Sequence, residues 1–294
     1  MKKNKIQPKN YLFVSIVCAV LLVYTICMFV MLYYTVVTSL KEELFDYGKN
    51  KMGLPEEWMW GNYKTAFSSI FKDVDSGTRR VYLPEMFMYS FYYSVIAAFL
   101  RTLVPCVVAY LVAKYRTWMN KVIYTIVIFA MTVPIVGALP SEIQIVEGLG
   151  LRGTLFYPIV ANCSFLGMYF LLFHGTFKGL SNEYIEAATI DGAGQWQVML
   201  KIVFPLTITT FGAVFLLNFI AYWNDYQTPL IFMNNFPTAA VGLFSSGDST
   251  GGDAMTEETI RMAGCMLLFL PIFTLFIIFK NKLMGNLTVG GIKG

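Results

Sequence analysis

Few residues in this chain have the types and spacing that catalysis or metal binding requires. The chain of 294 residues has a single histidine, and its five cysteines contain no C-x-x-C pair. All five cysteines lie inside apolar runs, which is typical of buried packing residues and argues against disulfides and a zinc site. The chain also has no H-E-x-x-H, no G-x-x-x-x-G-K-[ST] and no paired aspartates within its apolar segments. We therefore expect no catalytic residue, metal or cofactor on this chain.

The segment 182–206 (NEYIEAATIDGAGQWQVMLKIVFPL) has an ordered pattern of acidic, small and turn-forming residues. Ser181, followed by acidic residues, predicts the start of a short helix over Glu183–Ile190. Asp191-Gly192 predicts a tight turn after it, because glycine adopts backbone angles that other residues avoid. The segment therefore begins as a short helix that ends at a glycine.

A second helical pattern follows the turn, over residues 195–203. Its predicted apolar face consists of Trp196, Met199, Leu200 and Val203. Pro205 comes next, close to the start of an apolar segment, where a helix tolerates its missing N–H. The small side chains of Ala187 and Ala188 would let another surface approach the first helix closely. The whole segment predicts a compact helix-turn-helix that another protein can contact.

The composition shows what kind of protein must position this segment. Hydrophobic residues make up 56% of the chain and charged residues 14%, with a mean hydropathy of +0.59. Soluble domains carry about 25% charged residues. The net charge of +4 is small and evenly spread, which argues against nucleic acid as a partner. These values indicate an integral membrane protein.

A helix needs about 20 mostly apolar residues to cross the hydrocarbon core of a bilayer. The candidate spans are Tyr11–Thr38, Phe87–Ala113, Val122–Leu139, Pro158–Phe173, Ile202–Tyr222 and Met262–Phe279. We therefore predict an all-α polytopic membrane protein with six transmembrane helices. The predicted divisions are a cytoplasmic tail (1–10), the first transmembrane helix (11–38), an extracytoplasmic cap (39–86), a core of five transmembrane helices (87–279) and a second cytoplasmic tail (280–294).

The distribution of lysine and arginine predicts the orientation. Most of these residues lie on the side that carries both termini, where the acidic residues are Glu183, Glu186 and Asp191. Because basic residues are enriched on the cytoplasmic side of membrane proteins, both termini are predicted to be cytoplasmic, in a multi-pass protein of the cell membrane. The segment 182–206 is then cytoplasmic as well.

This segment resembles the signature loop of the permease subunits of ABC importers. The matching positions are Glu186, Ala187, Ala188, Gly192, Ile202 and Pro205. The departure is Phe204, where the family pattern has leucine, and it exchanges one apolar side chain for another. The resemblance identifies the segment as the cytoplasmic coupling-helix loop of such a permease.

Further motifs resemble carbohydrate permeases of the maltose-transporter type. They are Asn62-Tyr63, Met131 to Pro134, Trp223-Asn224-Asp225 with Pro229-Leu230, and the closing Leu287 to Gly294. Their order and the C-terminal motif favour the MalG-like subunit over the MalF-like one. The resemblance implies a permease for a sugar or oligosaccharide. The alternatives are an importer of a non-sugar solute, such as a peptide or polyamine, and an intramembrane enzyme.

The resemblance also implies partners and residue roles. The partners would be a second, MalF-like permease subunit, a dimer of ATP-binding subunits that holds ATP and Mg, an extracytoplasmic sugar-binding protein and the lipid bilayer. Glu186 would bind a basic or donor group on the ATPase, Ala187 and Ala188 would allow close docking, and Asp191-Gly192 would form the turn. ATP hydrolysis would therefore take place on a partner subunit.

Polar residues within the apolar segments or just after them are the candidates for contact with the transported solute. They are Arg101, Asn162, Asn218 and Asp225. Polar residues in spans also hold helices together, which is the alternative interpretation for the asparagines. Arg101 lies near the middle of the second span, where a charge normally faces protein or a water-filled cavity. It is expected either to face the pathway or to pair with a carboxylate or carbonyl groups between spans.

Overall fold

The computed structural model describes residues 9–74, 77–115, 117–133, 137–247 and 257–287, with side chains from residue 13 to residue 280. Its elements are α1 (Lys9–Ser39), α2 (Gly61–Ser69), β1 (Phe71–Val74), β2 (Arg79–Tyr82), α3 (Leu83–Lys114), α4 (Trp118–Thr132), α5 (Leu139–Gly148), α6 (Tyr157–Ala161), α7 (Met168–Gly179), α8 (Glu183–Ile190), α9 (Gln195–Val198), α10 (Phe204–Asn224), α11 (Gln227–Phe232), α12 (Ala239–Ser245) and α13 (Glu258–Leu287). The tail up to residue 8, Pro134 and the terminal run from residue 288 lie outside the described residues.

Four helices in the described part of the chain are long and apolar enough to cross a membrane. They are Phe13–Ser39, Leu83–Lys114, Gln195–Asn224 and Glu258–Lys280. They correspond to the first, second, fifth and sixth predicted spans. The third predicted span is shorter than expected, because α4 ends at Thr132 and Leu139 begins a separate helix, α5.

The prediction of one helix over Pro158–Phe173 was wrong. Helix α6 ends at Ala161, and helix α7 begins only at Met168. The side-chain amide of Asn162 donates to the carbonyl oxygen of Pro158 at 2.9 Å, beside the end of α6. Gly167 has a φ of 134°, which interrupts a helix and which glycine adopts readily. Local side-chain bonding and a glycine therefore divide this apolar segment.

The described residues are almost entirely helical, apart from one short hairpin that the all-α prediction lacked. Strands β1 and β2 form an antiparallel hairpin, in which Phe71 pairs with Tyr82 and Val74 pairs with Arg79. The guanidinium of Arg80 lies over the Phe71 ring, 4.6 Å from its centroid. The hairpin leads directly into α3.

The described residues form two compact units, of which the first falls within residues 1–70 and 246–270. Along α1, every side chain from Phe13 to Tyr33 is exposed, whereas those from Val37 to Lys41 are buried. Buried Lys41 and Asp46 lie 3.7 Å apart, between Nζ and Oδ1. The long exposed apolar surface of α1 requires an apolar environment from outside the chain.

The second unit falls within residues 71–245 and 271–294, and α3 is its central helix. Helix α3 packs most extensively against α10 and α7. Small residues of α3, such as Ala109, are fully buried there, next to aromatic residues of α7 such as Phe173 and Phe177. Small side chains let helices approach closely, and the aromatic rings fill the remaining space. This core supports both groups of candidate functional residues.

Candidate functional site

The segment 182–206 folds as a short helix, a tight turn and a second helical stretch. Helix α8 covers Glu183–Ile190, as the sequence predicts. The hydroxyl oxygen of Ser181 accepts a hydrogen bond from the backbone N–H of Glu183 at 3.2 Å. The two glutamates in the first turn of α8 lie near the positive end of the helix dipole. The local sequence therefore determines where α8 begins.

A glycine closes α8 in a Schellman motif. Gly192 has a φ of 82°, and its N–H donates to the carbonyl oxygen of Thr189 at 3.1 Å. The N–H of Ala193 donates to the carbonyl oxygen of Ala188 at 2.9 Å. Ala193 also packs against the buried cluster that contains Ala188, as is typical of this motif. The predicted Asp191-Gly192 turn is therefore confirmed and has a defined geometry.

The two alanines of the signature face in different directions. Ala187 is exposed, whereas Ala188 is only 8% exposed and belongs to the core formed with α3, α7 and α10. The expectation that both alanines offer a surface for close docking was therefore wrong for Ala188. Successive helical residues point about 100° apart, so adjacent residues rarely share a face. Ala188 allows α8 to approach its own chain instead.

The exposed surface of the segment is more apolar than the sequence interpretation suggested. Ile190 is 86% exposed and Trp196 is 73% exposed. The sequence predicted one apolar face from Trp196, Met199, Leu200 and Val203, and this prediction was wrong. Leu200 is exposed like Trp196, whereas Val203 is buried and Met199 is partly buried. Glu186 and Asp191 are exposed beside these apolar side chains. This surface combines acidic and large apolar groups.

A lysine at the end of α3 fixes the start of the segment. Lys114 Nζ donates to the carbonyl oxygen of Leu180 at 2.7 Å and to Oδ1 of Asn182 at 2.9 Å. A cleft of about 260 Å³ lies alongside, and Lys114, Asn182 and Glu186 are among its lining residues. The segment is thus attached both to the buried core and to the last residue of a long helix.

The far end of the segment continues into α10 through a wide helical turn. Residues Met199–Val203 form a π-helical turn, in which the N–H of Phe204 donates to the carbonyl oxygen of Met199. Pro205 is exposed and has no N–H to donate, and the wide turn accommodates this loss without ending the helix. Ile202 is half-buried against the core. The second helical stretch of the segment and α10 therefore form one continuous helix, Gln195–Asn224.

Polar residues of the second unit form a separate cluster near the end of α10. The Tyr93 hydroxyl donates to Oδ2 of Asp225 at 2.9 Å, and the Thr228 N–H donates to Oδ1 at 3.1 Å. The Tyr222 hydroxyl donates to Oδ1 of Asn162. The rings of Tyr93 and Tyr222 meet edge to face, with centroids 5.6 Å apart. The structure thus brings Asp225 and Asn162 into one network.

The other two pathway candidates differ from each other. Asn218 is buried, and its Nδ2 donates to Oγ1 of Thr102 at 3.1 Å, which is a bond between α10 and α3. Asn162 is buried as well, so both asparagines have the geometry of residues that hold helices together. Arg101 is half-buried, and it forms no hydrogen bond or ion pair with the residues that the structure describes.

Known proteins resemble this chain in sequence and in fold. The melibiose/raffinose/stachyose import permease protein MelC of Bacillus subtilis is 24% identical over 268 residues, covering 90% of this chain and 92% of that protein. The diacetylchitobiose uptake system permease protein NgcG of Streptomyces coelicolor is 23% identical over 285 residues, covering 95% and 88%. A chain in the crystal structure of a bacterial ABC transporter involved in the import of the acidic polysaccharide alginate has a TM-score of 0.75 at 18% identity, covering 95% of this chain and 99% of that one.

The family of binding-protein-dependent transport system inner membrane components matches residues 102–284. This range holds most of the second unit, including the segment 182–206 and, from the polar cluster, Asn162, Tyr222 and Asp225 but not Tyr93. It covers more than half of the chain, so the protein belongs to this family of membrane transport permeases.

Proposed function

We propose that the chain is the transmembrane permease subunit of an ATP-driven importer of a sugar or oligosaccharide. The names of two relatives, MelC and NgcG, describe import of melibiose, raffinose, stachyose or diacetylchitobiose. The observation that carries the proposal is the geometry of the segment 182–206. It is fixed to the protein core on one side and exposes a mixed acidic and apolar surface on the other.

The exposed side of this segment is the docking surface for an ATPase subunit. Its members are Tyr184, Glu186, Ala187, Ile190, Asp191 and Trp196. Large exposed apolar side chains that lie together are typical of a protein interface. Glu186 and Asp191 would bind basic or donor groups of the ATPase. ATP and Mg²⁺ would bind to that partner, which supplies the energy of hydrolysis.

The second side of the segment transmits movement to the membrane helices. Ala188 and Ala193 connect α8 to the core, and Lys114 connects it to α3. The π-helical turn connects it to α10. When nucleotide binding closes the ATPase dimer, a displacement of α8 therefore moves α3 and α10 with it. The pathway opens or closes because these helices surround it together with a second, MalF-like permease subunit.

The proposed topology has six membrane spans with both termini in the cytoplasm. Four are the long apolar helices, and the others are α4 and the α6–α7 segment. Helix α4 has 15 residues, so it is about 22 Å long and crosses only part of the hydrocarbon core. Irregular backbone at membrane depth is tolerated where it is buried in protein or lines a water-filled cavity. The short spans therefore belong beside the pathway or the second permease subunit. The sugar-binding protein docks on the extracytoplasmic face of the membrane.

Reconstitution tests this function directly. The chain would be co-expressed with its second permease and ATPase subunits, purified and placed in lipid vesicles with the extracytoplasmic binding protein. We expect ATP-dependent uptake of labelled raffinose, diacetylchitobiose or a related oligosaccharide. Uptake of an oligopeptide or of spermidine, with no uptake across a panel of saccharides, would overturn the sugar assignment.

A cysteine cross-linking experiment tests the docking surface in the same complex. Ile190→Cys is expected to form a cross-link to the ATPase subunit with a short bifunctional reagent. Leu149→Cys is the matched control, since Leu149 is also exposed, at 63%, but lies outside the segment. Equal cross-linking at both positions, or none at Ile190, would contradict the docking assignment.

A further inference from the structure

Arg101 places a positive charge deep within the longest apolar helix of the second unit. It lies about 27 Å along the helix axis from Leu83 and about 20 Å from Lys114. A charge at this depth is unfavourable unless it has a counter-charge or faces a water-filled cavity. The group that compensates the charge of Arg101 therefore bears on what the protein transports.

The chain itself provides no counter-charge among its described residues. The guanidinium forms no ion pair there, although it is half-buried. Asp225 and Arg101 both act electrostatically on the Tyr222 hydroxyl, so they belong to one region. The Asp225 carboxylate, however, is already bound by Tyr93 and by the Thr228 N–H. Within the described part of the chain Arg101 therefore has no counter-charge, and an anionic ligand could supply one.

The backbone around Arg101 is irregular on two sides. A Cβ added to Gly167, within the break between α6 and α7, would lie 3.7 Å from an Nη atom of Arg101. Pro105 lies within α3 and has no N–H to give to the carbonyl oxygen of Arg101 four residues earlier. Unpaired backbone groups at membrane depth occur where they line a water-filled cavity or are covered by protein. The guanidinium therefore lies next to the irregular backbone at Gly167, which is the kind of backbone that lines such cavities.

The surrounding side chains resemble those that bind saccharides. Tyr222 is within electrostatic range of both Arg101 and Tyr169, so these tyrosines lie in the same region as the guanidinium. Aromatic rings pack against the apolar C–H faces of sugar rings, and their hydroxyls bond to sugar hydroxyls. A guanidinium can donate two parallel charge-assisted hydrogen bonds to the two oxygens of a carboxylate. A neutral hydroxyl cannot accept this pair of bonds.

We propose that Arg101 binds the acidic group of the transported saccharide, and that the substrate is an anionic sugar or oligosaccharide such as a uronate. This inference rests on the proposed function and defines its substrate class. A neutral sugar would leave the Arg101 charge uncompensated each time it passed. An acidic sugar supplies the counter-charge, and the tyrosines of the same region contact the rest of the ring.

The test compares two disaccharides that differ at C6 of each ring, which is a carboxylate in the acidic sugar and a hydroxymethyl group in the neutral one. The complete importer, with its partner subunits and binding protein, is reconstituted in lipid vesicles and offered labelled digalacturonate or its neutral counterpart, galactobiose. We expect Arg101→Gln to lower uptake of the acidic disaccharide about 10- to 100-fold, the range given by hydrogen bonds to charged groups. Arg101→Lys keeps the charge and is expected to retain more uptake than Arg101→Gln. Uptake of galactobiose is expected to change less than twofold.

Arg152→Gln is the matched control, because Arg152 lies in the same unit and already pairs with Glu147. The Arg152→Gln importer is expected to take up both sugars as fast as the wild-type importer does. If the unchanged importer takes up only the neutral member, the acidic assignment is overturned while the proposed function stands. If Arg101→Gln lowers both sugars equally, or releases the second permease subunit during purification, Arg101 pairs with that subunit and the inference is wrong. Uptake of no saccharide overturns the proposed function and this inference together.

Discussion

Nζ of Lys114, the last residue of α3, lies 2.9 Å from Oδ1 of Asn182, the residue before α8. The same ammonium group donates to the carbonyl oxygen of Leu180 at 2.7 Å. One side chain therefore joins a membrane helix to the start of the proposed docking segment. Ile190, at the other end of α8, is exposed.

Replacing Lys114 tests whether this contact transmits movement. Lys114→Met removes both hydrogen bonds but keeps the apolar stem, and we expect a loss of stability of about 1 kcal/mol. Uptake is expected to fall several-fold relative to ATP hydrolysis, because the ATPase still binds while its movement is transmitted less well. The ratio of sugar transported to ATP hydrolysed measures this effect. Lys201→Met, on an exposed lysine of the same segment, is the control, and an equal fall there would contradict the interpretation.

Substitutions of Gly192 separate backbone strain from side-chain size. A Cβ at this position would meet no atom of the described chain within 4 Å, so the requirement for glycine within this chain comes from its φ of 82°. A non-glycine residue there costs about 1–2 kcal/mol, and asparagine tolerates these angles better than valine. We expect Gly192→Val to abolish uptake and to weaken co-purification of the ATPase, with membrane insertion unchanged. Gly192→Asn should retain much of both, and normal uptake in the valine variant would remove the turn from the mechanism.

The two alanines of the signature predict opposite defects. Ala188→Leu inserts a large side chain into a packed core, which costs about 1–3 kcal/mol and should lower the thermal stability of the purified chain. Ala187→Leu changes an exposed position, so the chain should unfold at the normal temperature while ATPase binding weakens. Thermal unfolding and ATPase pull-down together distinguish these results. A stability loss in Ala187→Leu alone would show that the faces of α8 are assigned wrongly.

Ile190 provides a test of the apolar part of the docking surface. Ile190→Ser removes exposed apolar area without touching the core, so we expect unchanged folding and about a tenfold weaker affinity for the ATPase. Affinity would be measured with the chain in nanodiscs and the ATPase subunit in solution. Leu149→Ser, an equivalent change elsewhere on the surface, should leave the affinity unchanged. Equal affinities for Ile190→Ser and the unchanged chain would exclude Ile190 from the interface.

Local sequence was sufficient to predict α8 and its turn. An acidic first turn, a preceding serine and a following glycine act over a few residues, and the helix begins and ends where they indicate. The burial of Ala188 was not accessible in the same way, because it depends on α3 and α7, which are distant in the sequence. The exposure of Trp196 has the same origin. A helical pattern shows that residues share a face, but it does not show which surface covers that face.

The broken fourth span shows a second difference between pattern and structure. Hydropathy measures how apolar a segment is, and Pro158–Phe173 is apolar enough. Whether such a segment forms one helix depends on specific bonds, here from the Asn162 amide, and on the backbone angles of Gly167. The sequence did predict that Arg101 lies in mid-helix. Only the structure shows that the described part of the chain supplies no partner for it.

The unbroken helical run from Gln195 to Asn224 has a mechanical consequence. At 1.5 Å per residue it is a rod about 45 Å long, with Trp196 at one tip and Tyr222 close to the other. A stiff rod that tilts by about 10° around its centre shifts each tip by about 4 Å, in opposite directions. A displacement of the Trp196 end in one direction therefore moves the Tyr222 end in the opposite direction. The proposed docking surface for the ATPase and the polar network near Asp225 therefore move together, because one rigid helix joins them.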